Sequence, residues 1–153
     1  MKNLIPHFIE QKLKSGEIQG EFKGAALFMD ISGFTKITEK LMKSGSNKKE
    51  QNTEGAEILA DIINSVLDPA INIIYENGGF IANFAGDAFT AIFEKQGCSN
   101  ALLSAIKINL IFEKFNNLET AFGNFNLSVK IGLSFGSIKY GITGDSRKAF
   151  CFK

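Results

Sequence analysis

The sequence predicts an α+β fold close to the ferredoxin-like βαββαβ plan, with helices layered on an antiparallel-rich sheet. Three observations carry this. An apolar run, Ala25 to Met29, stops at Asp30 and gives way at Gly33 to a helical stripe of Phe34, Ile37, Leu41 and Met42. Two short strand-like runs, Phe80 to Phe84 and Ala88 to Phe93, flank Ala85-Gly86-Asp87, as in a hairpin with an acid at its tip. Leu127, Val129, Ile131, Leu133 and Phe135 alternate with smaller or polar residues, as in a half-buried strand.

The elements follow in order. Met1 to Gly20 reads as an amphipathic lead-in with Leu4, Ile5, Phe8, Ile9 and Leu13 at helical spacing, and His7, the single histidine, as a surface or packing residue. Gly24 to Asp30 is a strand without alternation, expected to be buried on both faces. A helix from Gly33 to about Met42 and a polar loop from Lys43 to Asn52 come next. Thr53 caps a long helix whose stripe runs from Ile58 to Ile74, with a kink expected at Pro69 and a left-handed stop at Asn77-Gly78-Gly79. Ser99 or Asn100 caps a further helix, with Leu102, Ala105, Ile106 and Phe112 inward, and Asn116 to Asn124 reads as loop. Gly136 is expected to turn the alternating strand into Ser137 to Ile142, and a second turn at Thr143 to Ser146 leads to a last strand from Lys148.

Composition narrows the function. With 153 residues, 44% hydrophobic and 22% charged, the chain is one ordinary globular domain. A net charge of +1 speaks against nucleic acid or a membrane surface as partner. Cys98 and Cys151 are too few for a disulfide framework, and Met1 to Glu10 lacks the apolar core of a signal peptide, so a cytoplasmic setting is expected. The longest apolar region, Ile58 to Ile74, is interrupted by Asp61, Asn64, Asp68 and Pro69 and cannot span a bilayer.

Asp30 alone reads equally well as a helix cap, and Asp87 alone as a turn residue. Together they mean more. In the βαββαβ plan the first strand and the hairpin lie side by side, about 4.8 Å apart. Two acids so placed suit the roughly 3.5–4 Å spacing of a two-metal site. The helix N-terminus behind Asp30 suits phosphate.

At these residues the sequence resembles the class III nucleotidyl cyclases, most closely the soluble, bicarbonate-responsive adenylyl type. The motifs are Asp30-Ile31-Ser32-Gly33-Phe34-Thr35, Gly55-Ala56-Glu57, Gly78-Gly79, Phe84-Ala85-Gly86-Asp87-Ala88, Ile131 to Gly136 and the segment from Gly141. The resemblance covers about Gly24 to the end, within a catalytic domain placed at residues 21–153, with 1–20 as the lead-in. It implies a class III cyclase sheet lacking its last helix and strands. Asp30, Asp87 and the Ile31 carbonyl would bind two Mg2+ or Mn2+, amides from Ser32, Gly33, Phe34 and Thr35 would cradle the triphosphate, and Arg147 would contact phosphate. The substrate would be ATP or GTP, cyclised by attack of the ribose 3′-hydroxyl on the α-phosphorus.

The purine-reading positions fall on Asn83 and Cys151. Adenylyl members place Lys at the first and guanylyl members Glu, so Asn83 matches neither. The family's transition-state Asn and Arg have no counterpart in these 153 residues. A second cyclase domain is therefore the expected partner, with this chain inactive alone. The other reading is a non-catalytic, cyclase-like regulatory or dimerisation module.

Overall fold

A computed structural model describes residues 5–33, 35–39, 49–120, 123–144 and 149–153, giving the chain path alone for 49–59, 118 and 120. The elements are α1 (His7–Lys14), β1 (Gln19–Ser32), α2 (35–39), α3 (Lys49–Glu76), β2 (Phe80–Ala85), β3 (Ala88–Glu94), α4 (Cys98–Phe112), β4 (Leu118–Thr120), β5 (Gly123–Phe125), β6 (Ser128–Thr143) and β7 (Ala149–Phe152). Five strands form one sheet in the order β2-β3-β1-β6-β7, and every neighbouring pair is antiparallel. The expected α+β architecture is therefore observed, with the first strand beside the hairpin.

β1 is the centre. Its odd-numbered side chains, Ala25, Leu27, Met29 and Ile31, enter a core with Val66, Ala70 and Ile74 of α3 and Ala101, Ala105 and Ile108 of α4. The other face is different. Phe28 is 48% exposed, so the strand is not buried on both faces as its unbroken apolar run suggests. The helices α3 and α4 cover one face only, and the second is shielded over part of its area by α1.

That shielding forms a second core. Phe8 and Ile9 of α1 are 3% and 1% exposed and pack with Phe80, Ile92, Ile138, Tyr140 and Ile142. The Phe8 ring lies 4.9 Å from Phe22, 5.1 Å from Tyr140, 5.4 Å from Phe80 and 5.9 Å from Phe152. Phe80 and Phe152 belong to the two outermost strands, yet their rings are 5.6 Å apart. In a flat sheet, four spacings of about 4.8 Å would separate those strands. The sheet is thus strongly coiled, and α1 sits in its concave side. Lys12 donates to Glu17 at 2.7 Å, and the Tyr140 hydroxyl donates to Glu17 at 3.3 Å, closing the far end of the helix. The ammonium of Lys12 holds the Glu17 carboxyl below the usual carboxylate range. The contribution of this exposed pair is present at neutral pH and lost as pH falls through that lowered value.

Several local expectations give way to tertiary context. α3 runs through Pro69 without ending and begins at Lys49, ahead of Thr53 and inside the segment read as loop. Its stop is as expected: Gly78 has φ +79°, its N–H donates to the Tyr75 carbonyl, and the N–H of Gly79 donates to that of Ile74. β6 continues through Gly136 because all fourteen residues of β1 pair with it, leaving no room for a turn. Residues 116–124, read as loop, include β4 and part of a β4–β5 hairpin. α4 starts at Cys98 with no side-chain cap, not at Ser99 or Asn100. Its buried stripe is Ala101, Ser104, Ala105, Ile108 and Phe112, while Leu102 and Ile106 are 56% and 50% exposed. The helix is apolar on nearly every side, so periodicity could not set its rotation.

Candidate active site

Asp30 lies on β1 between Met29 and Ile31, both buried in the first core, so strand alternation places it on the concave face. β1 runs two residues further, to Ser32, so the acid is not at the strand end. Asp87 occupies the two-residue turn between β2 and β3. Gly86 precedes it with φ +66°, the left-handed first position that such a loop favours. Met29 is paired with Phe89. Asp30 is one residue beyond that rung on β1, and Asp87 two beyond it, in the turn that leads into the adjacent β3. Both acids are half-buried, and among the described residues neither carboxylate is engaged in a hydrogen bond or ion pair.

A residue the sequence reading passed over completes this end of the face. Lys130 on β6 is directly opposite Asp30. It is exposed and forms no ion pair among the described residues. Its polar phase on an alternating strand was visible, but only the β1–β6 register reveals what it faces.

Behind Asp30, Gly33 turns the chain into α2 with φ +98°. A Cβ at Gly33 would lie 2.3 Å from the Asn126 carbonyl oxygen, whereas one at Gly86 would meet nothing within 4 Å. Gly33→Ala is therefore expected to cost roughly 2–4 kcal/mol, combining left-handed strain with a backbone clash, and Gly86→Ala only about 1–2 kcal/mol. Chemical denaturation of the two variants checks the difference. Ser32 is half-buried and Thr35 exposed beside this turn. Phe34 and Arg147 lie outside the described residues.

Further along the concave face, Asn83 of β2 pairs with Thr90 of β3, and both line a cavity of about 500 Å3 with Ala26, Ile92, Phe152 and Cys151. The structure thus brings Asn83 and Cys151 to one cavity across the coiled sheet. Cys151 sits opposite Gly141, while its neighbours Phe150 and Phe152 pack into the second core. Among the described residues no three His, Cys, Asp or Glu side chains cluster. Two hard carboxylates without a closed protein cage suit Mg2+, which keeps water and substrate oxygens as its other ligands. The residues therefore fit a divalent cation shared with a phosphate ligand.

The fold has counterparts among solved structures. The fold matches that of a bacterial light-regulated adenylyl cyclase with a TM-score of 0.73 at 21% identity, covering 98% of this chain and 42% of that one. It also matches the adenylyl cyclase CyaB from P. aeruginosa with a TM-score of 0.64 at 19% identity, covering 88% of this chain and 67% of that one. The architecture is that of a class III cyclase catalytic domain.

In sequence, the family described as "Adenylate and Guanylate cyclase catalytic domain" matches residues 21–152. Adenylate cyclase type 10 of Homo sapiens is 35% identical over 127 residues, 81% of this chain, and that of Mus musculus 32% over 131 residues, 84% of this chain. An adenylate cyclase of Anabaena cylindrica is 32% identical over 122 residues, 77% of this chain and 22% of its own length. The chain belongs to the adenylate and guanylate cyclase catalytic domain family. It spans 8% of the length of the human and mouse relatives. Among the described residues no helix is long and apolar enough to cross a membrane.

Proposed function

We propose that this chain is the metal-bearing part of a purine nucleotide cyclase that converts ATP to the 3′,5′-cyclic monophosphate and pyrophosphate together with a second cyclase domain. The observation that carries this reading is that Asp30 on β1 has Lys130 of β6 opposite it and Asp87 in the turn at the same end of the neighbouring hairpin. ATP is favoured over GTP because the curated relatives are adenylate cyclases.

Each group has a role. Two divalent cations, Mg2+ or Mn2+, held by Asp30, Asp87 and the Ile31 carbonyl, would acidify the ribose 3′-hydroxyl and neutralise the triphosphate. Burial of the Ile31 side chain leaves only its main chain for that purpose. Amides of Ser32, Gly33, Phe34 and Thr35 donate to the triphosphate at the α2 N-terminus. Lys130 sets an ammonium beside the acid pair, where the departing pyrophosphate gathers charge, and Arg147 adds a further phosphate contact. Asn83 and Cys151 wall the cavity that takes the base; a carboxamide can donate to or accept from either purine.

One residue supports a second domain: Asn83 stands where the family's adenylyl members carry Lys. The 153-residue chain alone is expected to give no cyclic nucleotide from ATP or GTP with Mg2+ or Mn2+. Adding a cyclase domain that carries the purine Lys and the Asn-x-x-x-Arg helix is expected to restore turnover. Activity of the isolated chain would refute the division of labour, and silence with every complementary domain would favour the regulatory reading.

A further inference from the structure

The ladder between β2 and β3 is irregular at one place. Ile81 is opposite Ala91 and Asn83 opposite Thr90, so Ala82 is an extra residue, a β-bulge. In an unbroken ladder Asn83 would stand opposite Phe89, whose side chain is wholly buried in the first core. The bulge turns Asn83 to the other face instead. There Asn83 and Thr90 both line the cavity of about 500 Å3, a volume within the range of small-molecule sites. Directly opposed residues hold their Cβ atoms about 4.5–5.5 Å apart. A carboxamide and a hydroxyl are thereby offered side by side to the edge of one ligand.

Neither group is committed. Among the described residues no hydrogen bond engages either side chain. A carboxamide exchanges donor and acceptor by turning over, and a hydroxyl does so by rotating. The rest of the wall fixes no polarity. Ala26, Ile92, Ile138 and Phe152 are apolar. Lys153 is the one charged residue of the described lining, and strand alternation turns its side chain to the face opposite Phe152. Adenine carries an amino donor where guanine carries a carbonyl acceptor, and its N1 is an acceptor where guanine has an N–H donor. A site rejects an analogue strongly only when the wrong ligand leaves its polar groups unpaired. Two groups that can both reverse are left unpaired by neither base. We propose that Thr90 is a second base-reading residue, set beside Asn83 by the Ala82 bulge, and that this pair accepts adenine and guanine almost equally. The inference rests on the cyclase reading of this cavity, and it moves the choice of ATP to groups outside this chain's base wall.

The test titrates the 153-residue protein, without metal, with AMP, GMP and CMP and follows amide chemical shifts. The three share one phosphate, so differences among them report the base. AMP and GMP are expected to shift amides of β2 and β3 with Kd values below about 3 mM and within about fivefold of each other, and CMP to bind at least about fivefold more weakly than both. Thr90→Val keeps the shape and removes the hydroxyl; it should weaken both purines by about threefold or more at an unchanged ratio, and Thr90→Ser should restore them. Asn83→Asp, at an exposed position, leaves an acceptor only and should favour GMP over AMP by about tenfold or more. No metal or turnover is involved, so this result is separate from that of the cyclase assay. The proposal is overturned by purines that differ by more than about fivefold, by CMP binding as tightly as they do, or by no binding at all. Indifference to Thr90→Val, or a wild-type ratio in Asn83→Asp, overturns it equally.

Discussion

Asp30→Asn in the assembled enzyme, with the complementary cyclase domain present, is expected to lower cyclic nucleotide formation by about a hundred- to a thousandfold, the scale attached to losing a preorganised electrostatic group at a reacting centre. The substitution keeps the shape of the side chain and removes its charge. Since Asp30 is only half-buried and makes no hydrogen bond among the described residues, folding should be nearly unaffected. Calorimetry should show Mg2+-dependent nucleotide binding lost while the melting temperature stays in place. Asp87→Asn should behave alike, and the double variant should be little worse than either, because the two acids act as one unit. Lys130→Ala should cost less, about tenfold, since a solvated ammonium opposite the pair contributes charge without holding the metal. Retention of a tenth or more of the activity by Asp30→Asn would remove the acid pair from the mechanism.

Phe8→Ala is expected to be the most destabilising single substitution considered. Phe8 is 3% exposed, and its ring touches four others, from β1, β2, β6 and β7. Truncating such a residue costs about 3–5 kcal/mol, lost transfer energy and residual cavity together. At about 2–4 °C per kcal/mol for a chain of this size, melting should fall by roughly 10 °C. The void would also adjoin the cavity lined by Asn83 and Cys151, since Ile92, Ile138 and Phe152 belong to both surroundings. Phe8→Leu should recover much of the loss by refilling the volume. A shift under about 2 °C for Phe8→Ala would mean that α1 is only loosely seated.

How much of this was legible beforehand depends on the distance over which each feature is decided. The acid at the end of an apolar run and the acid at a Gly-Asp hairpin tip are local signals, and the placement of that hairpin beside the first strand follows from the βαββαβ order. Lys130 could not be read the same way. Its partner on β1 lies about a hundred residues upstream, and nothing near Lys130 announces it. Pro69 and Gly136 are strong local breakers, yet α3 and β6 pass through both because pairing and packing outweigh single-residue propensity. α1 showed its amphipathic spacing in the sequence. What that spacing packs against, the concave side of a coiled sheet, is a property of five strands at once.

The pairing of β1 with β6 also bears on how the chain reaches this state. Gln19 pairs with Gly141 and Ser32 with Ser128, so one whole edge of the central strand waits for the last third of the sequence. Closing a loop of about a hundred residues costs about 4 kcal/mol of chain entropy before any rung repays it. On a ribosome the hairpin β2–β3 can join β1 early, leaving a three-stranded half-sheet with a bare edge until β6 emerges. Such an edge templates pairing with other chains. Translation arrest or proteolysis between β3 and β6 should therefore give aggregates rather than a soluble fragment. Slow, topology-limited refolding of the full chain is the matching kinetic signature.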